Sequence, residues 1–204
     1  MPEKSMDKRS LRSRKALQDA LVALLKTQPL DKITVTDVIN KAGYSRTAFY
    51  NNYLDVEDCL TAVMEEQAAL LYDSFRDRSA YSVEKTGPIV TDQGNAHELV
   101  FTAPYRTVYN NKDFYLALAN LDREWYYRML SIVTSKFYSN ADYVVCGTDE
   151  AVDPELWMWS HVCDTLSRIA YWIAKGMIYS PEYMGRQQYL KRLTNVYLLP
   201  KGPK

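Results

Sequence analysis

The chain reads as an all-α protein, a small helix-turn-helix head followed by a larger helical body. Three observations predict this. Apolar residues recur at helical spacing, as in Leu17, Ala20, Leu21, Leu24 and Leu25. Glycines and prolines number only seven and eight in 204 residues, too few for a strand-and-turn architecture. Several stand where helices should stop or start: Pro29, Gly43, Gly176 and Pro181.

Each element follows from local signals. Arg9 to Gln28 is the first predicted helix, capped by Ser10 or a neighbour, with Pro29 just beyond its end. In ITVTDVINKAG, Thr34 is a suitable N-cap and Asp37 stands three residues on, close to a capping box. Val35, Val38 and Ile39 give the inward face, and Gly43 fits the left-handed position that ends such a helix. Ser45 caps a third helix, from Arg46 to Asn52, and Asp55 caps a fourth, which runs to Arg78. Residues 79–97 read as a loop. Helices resume over 96–110, bent at Pro104, then over 113–121 and 122–138. A second loop ends at Pro154, and two long helices, 154–176 and 181–199, close the chain. The expected boundary lies between a head, 1–54, and a body, 55–204.

Formal net charge is zero, but it is unevenly distributed. Residues 1–53 carry ten Lys/Arg and five acids, a net +5, and the remainder is correspondingly acidic. A basic head on an acidic body suggests that the head meets an anion. Cys59, Cys146 and Cys163 have no CxxC or zinc spacing and read as reduced thiols. No apolar run approaches the roughly 20 residues of a membrane span. The first ten residues lack the apolar core of a signal peptide. The expected location is the cytoplasm.

The segment GYSRTAFYNNY, residues 43–53, is too polar for a buried helix and too aromatic for a solvated loop. Two short helices joined at a glycine, the second opening with Ser-Arg-Thr, make a helix-turn-helix whose second helix enters the DNA major groove. Phe49 then faces the head core. Ser45, Arg46 and Thr47 lie at the helix N-terminus, where N–H groups favour phosphate. Arg46 can donate two bonds to guanine O6 and N7. Tyr50, Asn51 and Asn52 can reach phosphate or base, and Tyr50 and Tyr53 have the alternative of packing into the core.

ITVTDVINKAGYSRTAFYNNYLDVEDCLTAV resembles the signature of TetR-family transcriptional regulators, with Thr34, Gly43, Ser45, Phe49, Tyr50 and Tyr53 at the matching positions. The resemblance spans residues 10–65 and adds Thr34 and Tyr53 to the expected DNA-contacting set. RSRKALQDALVALL, FYNNY and NNKDFY further resemble a subgroup that regulates dihydroxyacetone-kinase operons. One position departs: where many family members carry a phosphate-contacting Lys at the start of the fourth helix, this chain has Val56.

The helix 154–176 carries two adjacent apolar stripes, Leu156-Trp159-Cys163-Leu166-Ala170-Ile173 and Met158-Val162-Thr165-Ile169-Trp172. One stripe suffices to dock a helix on its own domain, so two suggest a helix covered from both sides. The resemblance implies that the last two helices pair with their copies in a second subunit, so Leu166, Ile169, Ala170, Ile173, Leu190 and Leu193 are the expected homodimer interface. It also implies a small-molecule pocket, for which Arg106, Tyr109, Trp125, Arg128, Trp157 and Trp159 are candidates. Such a lining would take an apolar or aromatic ligand. His161, Cys163 and Asp164 do not make a metal site, because i and i+2 point to different sides of a helix.

The functional expectation is a ligand-responsive repressor that binds a palindromic double-stranded operator as a homodimer, with no catalytic role, cofactor or metal. The rivals are a helical small-molecule-binding protein and a regulator controlled by a protein partner. No phosphate-cradling glycine loop, Ser-His-Asp arrangement or metal-ligand cluster favours an enzyme.

Overall fold

The computed structural model describes residues 8–76, 94–118, 121, 123–140 and 153–193. The described residues are helical throughout, without a strand. The elements are α1 (Lys8–Leu25), α2 (Val35–Ala42), α3 (Arg46–Tyr50), α4 (Val56–Arg76), α5 (Gly94–Asn110), α6 (Lys112–Leu118), α7 (Arg123–Asn140), α8 (Pro154–Ala174) and α9 (Pro181–Leu193), with a short 3₁₀ turn at Leu30–Lys32. The all-α expectation holds. Helix starts agree closely. α3 ends two residues early, α5 begins at Gly94 inside the expected loop, and most of that loop, 79–93, lies outside the described residues.

Local chemistry explains the element ends in the head. The α1 stripe turns Leu17, Ala20, Leu21 and Leu25 into the core. At α2 the capping box is complete. Thr34 Oγ1 accepts from the Asp37 N–H, and the Asp37 carboxylate accepts from the Thr34 N–H at 2.9 Å. The Thr34 hydroxyl, which donates to the Asp37 carboxylate at 2.6 Å, and then the Thr34 N–H hold the Asp37 carboxyl below the ordinary carboxylate range. Gly43 takes φ 71°, the left-handed conformation, and Tyr44 N–H closes the helix on the Ile39 carbonyl. At α4, Asp58 N–H donates to the Asp55 carboxylate while the Leu54 N–H donates to Asp58. Val56, where a lysine was the family expectation, is half-buried against the core.

α1 packs on α2 and α3 to build the head, and its other side touches α4 and α6. α4 runs from the head into the body, where α5 and α7 pack along it. α8 docks on α7, and α9 lies along α5. The crossing of α5 and α9 is close enough that a Cβ on Gly185 would lie 2.7 Å from the Thr102 Cα. A buried polar chain joins three body helices. The Tyr105 hydroxyl donates to Gln188 Oε1 at 2.7 Å, and Gln188 Nε2 donates to Thr165 Oγ1 at 3.0 Å. Trp172 is fully buried, edge-on to Tyr105 and stacked on Tyr109, and its indole N–H donates to the Tyr179 carbonyl.

Candidate nucleic-acid interface

The turn between α2 and α3 sorts its side chains by solvent. Ser45 is the N-cap of α3, its hydroxyl accepting from the Ala48 N–H at 3.2 Å. Phe49 is fully buried, with Tyr50 edge-on at 5.6 Å and Tyr53 tilted at 5.7 Å. Ser45, Arg46, Thr47, Tyr50 and Asn51 are all exposed, and Tyr50 keeps 52% of its surface. The structure thus brings five of the expected residues to one outer surface of a five-residue helix and its flanks. Thr34 is exposed as well, but its hydroxyl is committed to Asp37.

Two expected contacts are corrected. Tyr53 is 3% exposed and belongs to the core. Just past the end of α3 its N–H donates to the Phe49 carbonyl at 2.9 Å, which brings the two rings together. Burial pushes its phenol above the ordinary range, and burial likewise pushes the neighbouring Cys59 thiol up to about 12. Neither group ionises at neutral pH. Asn52 is half-buried and turned inward. Its Nδ2 donates to the Ala48 carbonyl at 2.7 Å and reaches Ser13 Oγ at 3.5 Å, tying α3 to α1.

One residue of this surface was missed by sequence reasoning. Thr36, exposed in the first turn of α2, accepts a hydrogen bond at 2.9 Å from Nη2 of Arg46. The two are ten residues apart, and no local sequence pattern pairs them; the turn does.

Of the six expected ligand residues, four have described side chains. Arg106 is exposed and paired with Glu182 of α9 at 2.9 Å. Tyr109 stacks on Trp172, with Lys112 over its ring. Arg128 and Trp159 are exposed on α7 and α8. The side chains of Trp125 and Trp157 lie outside the described residues. Two open hollows among the described residues lie elsewhere. One of about 440 Å³ opens between α1 and α4, and one of about 230 Å³ lies between α1, α4 and the α5–α6 corner.

The expected dimer set is also redistributed. Leu166, Ile169 and Ile173 are 6%, 3% and 8% exposed within one chain, so they serve its own core. The reason is the packing of α8 into the body: it docks on α7, Trp172 lies against Tyr105 and Tyr109 of α5, and Thr165 accepts from Gln188 of α9. Ala170 and Leu190 are half-buried, and the Leu193 side chain lies outside the described residues. Among the described side chains of α8, those left outward are Leu156, Trp159, Ser160, Ser167, Tyr171 and Ala174, with Cys163 and Ala170 half-covered between them. Asp164 and Arg168 lie to one side. Burial raises the Asp164 carboxyl, but Lys191 and Arg168 outweigh it and lower it overall. Among the described residues no cluster of His, Cys, Asp and Glu could hold a metal ion. No helix among them is long and apolar enough to cross a membrane.

The architecture is thus a three-helix head with a helix-turn-helix, joined by a long helix to a helical body. Comparison with known proteins identifies the fold as that of the TetR-family transcriptional regulators. The fatty acid degradation regulator FadR from Bacillus halodurans superposes with TM-score 0.63 at 13% identity, over 92% of this chain and 95% of its own. A TetR transcriptional regulator from Streptococcus agalactiae gives 0.55 at 20% identity, over 93% and 97%. The TetR-like regulator LfrR from Mycobacterium smegmatis, in complex with proflavine, gives 0.52 at 15% identity, over 93% and 98%. In sequence, the uncharacterized HTH-type transcriptional regulator YxbF of Bacillus subtilis is 33% identical over 72 residues. That match spans 35% of this chain and 19% of YxbF. No family model matches the chain. The likeness to the dihydroxyacetone kinase operon activator DhaS, at TM-score 0.46, carries no weight for the finer subgroup.

Proposed function

We propose that the protein is a transcriptional regulator that binds a near-palindromic DNA operator as a homodimer and represses by occupying it. The observation that carries this reading is the exposed group of Arg46, Thr47, Tyr50 and Asn51, standing on a turn whose inner side is filled by Phe49. In a helix-turn-helix such a group enters the major groove. Arg46 reads a guanine, and Tyr50 and Asn51 bond phosphate or base. The +5 head supplies the sequence-independent attraction.

Two recognition helices must reach successive grooves about 34–36 Å apart, which calls for a two-fold dimer. The outward, uncharged side of α8 is the surface proposed for it. α4 is the proposed lever for an effector, since it touches α1 of the head as well as α5 and α7 of the body. An apolar or aromatic molecule bound in the body would release DNA if it favours the DNA-incompetent arrangement of α4. That LfrR is found in complex with proflavine supports a small-molecule effector on this fold.

Selection of genomic DNA fragments on the purified protein tests the reading. A two-fold sequence should be enriched, and its affinity should fall steeply with salt as Lys and Arg displace counterions. Arg46→Ala should cost roughly 1–3 kcal/mol and relax preference at one base pair per half-site. Recovery of no enriched sequence would sink the proposal.

A further inference from the structure

We propose that Thr36 is a specificity-positioning residue that acts on DNA through Arg46; this rests on the DNA-binding reading above. The Thr36 hydroxyl accepts from Nη2 of Arg46 at 2.9 Å across the helix-turn-helix. Both side chains are exposed, so the bond competes with water and adds little to the stability of the free head. Its effect is orientational. A guanidinium on a flexible stem loses rotamer entropy when it docks on a base edge, and a partner that already holds it reduces that loss. Arg has five N–H donors in a planar fork. One Nη2 hydrogen goes to Thr36, which leaves the second Nη2 hydrogen and those on Nη1 for guanine O6 and N7. Fixing one edge of the plane sets the direction of the other.

Thr36 is itself held in place. It lies in the first turn of α2, between Thr34 and Asp37, whose capping box pins the start of that helix. Gly43 and Ser45 then fix the turn between α2 and α3. The geometry therefore carries rigidity from a helix cap to the side chain that reads sequence.

The test is a double-mutant cycle, with binding measured on the selected operator and on a variant whose guanine at the Arg46 position is replaced. Thr36→Val removes the acceptor and keeps the shape; Thr36→Ser keeps the acceptor. Thr36→Val should reduce discrimination between the two duplexes by roughly tenfold, a loss of the order of one good base contact. It should leave affinity for the replaced duplex unchanged. Thr36→Ser should restore discrimination. In an Arg46→Ala background, Thr36→Val should have no further effect. The proposal is overturned if Thr36→Val weakens both duplexes alike and does so without Arg46, which would make Thr36 an independent phosphate contact. It is equally overturned if discrimination survives Thr36→Val. Circular dichroism separates these outcomes from unfolding. Failure of the wild type to prefer any sequence would instead refute the DNA-binding reading itself.

Discussion

Tyr50 and Tyr53 end in different solvents although only two residues separate them. Tyr50 is half exposed, and the Tyr53 hydroxyl sits in the head core within reach of Arg14 and Cys59 but without a well-formed hydrogen bond. An unmade bond of this kind costs about 1–3 kcal/mol relative to a satisfied one. Tyr53→Phe should therefore leave the melting temperature unchanged or raise it, and should not alter DNA affinity. Tyr50→Phe should do the reverse, with stability kept and affinity lowered. Thermal melts and operator titrations of the two variants check both halves, and a DNA defect from Tyr53→Phe would return that residue to the interface. Core packing of Tyr53 was one of the two readings the sequence offered, and the return of its N–H to the Phe49 carbonyl places it there. The resemblance led the other way, because a family signature mixes residues that hold the head with residues that touch DNA.

At the scale of the helix, what was legible was local. Thr34, Gly43, Ser45 and Pro181 act within one turn of themselves, so their positions mark the boundaries of α2, α3 and α9 before any partner is known. What was not legible depends on a neighbour distant in sequence. Gly185 stands inside α9, where a glycine usually weakens a helix. It is there because α5 passes against it: an added Cβ would meet Thr102 Oγ1, Cα and N at 2.3, 2.7 and 2.8 Å. Two of those three atoms are backbone and cannot turn aside. Gly185→Ala should therefore destabilise the body by about 1–3 kcal/mol through overpacking, despite alanine's higher helix propensity. Chemical denaturation measures this. An increase in stability would mean that the two helices separate at no cost. The same dependence on neighbours governs the expected ligand residues: aromatic content along a helix does not reveal that Tyr109 stacks on Trp172 or that Arg106 pairs with Glu182.

For the whole molecule, the two apolar stripes of α8 were readable, but which one belongs to the chain's own core was not. Packing on α5, α7 and α9 decides it, and this changes the experiment that tests assembly. Ile169 and Ile173 are core residues, so a charge at either would unfold the protomer and say nothing about a dimer. Ser167 is exposed, and Ala170 is half-buried at the edge of the outward side. An arginine at either can extend into water in a single chain. In a two-fold seam along α8 the same arginine would approach its own copy, and two like charges would be desolvated together. Ser167→Arg and Ala170→Arg should therefore give folded monomers, with unchanged helical circular dichroism and half the mass by light scattering. Because each monomer can engage only one half-site, full-operator affinity should collapse towards that of a single half-site, which the variants should still bind as the wild-type head does. If both variants remain dimeric, the seam lies on another surface of the body. If the wild type is itself monomeric at micromolar concentration without DNA, the two-fold reading of the operator fails with it.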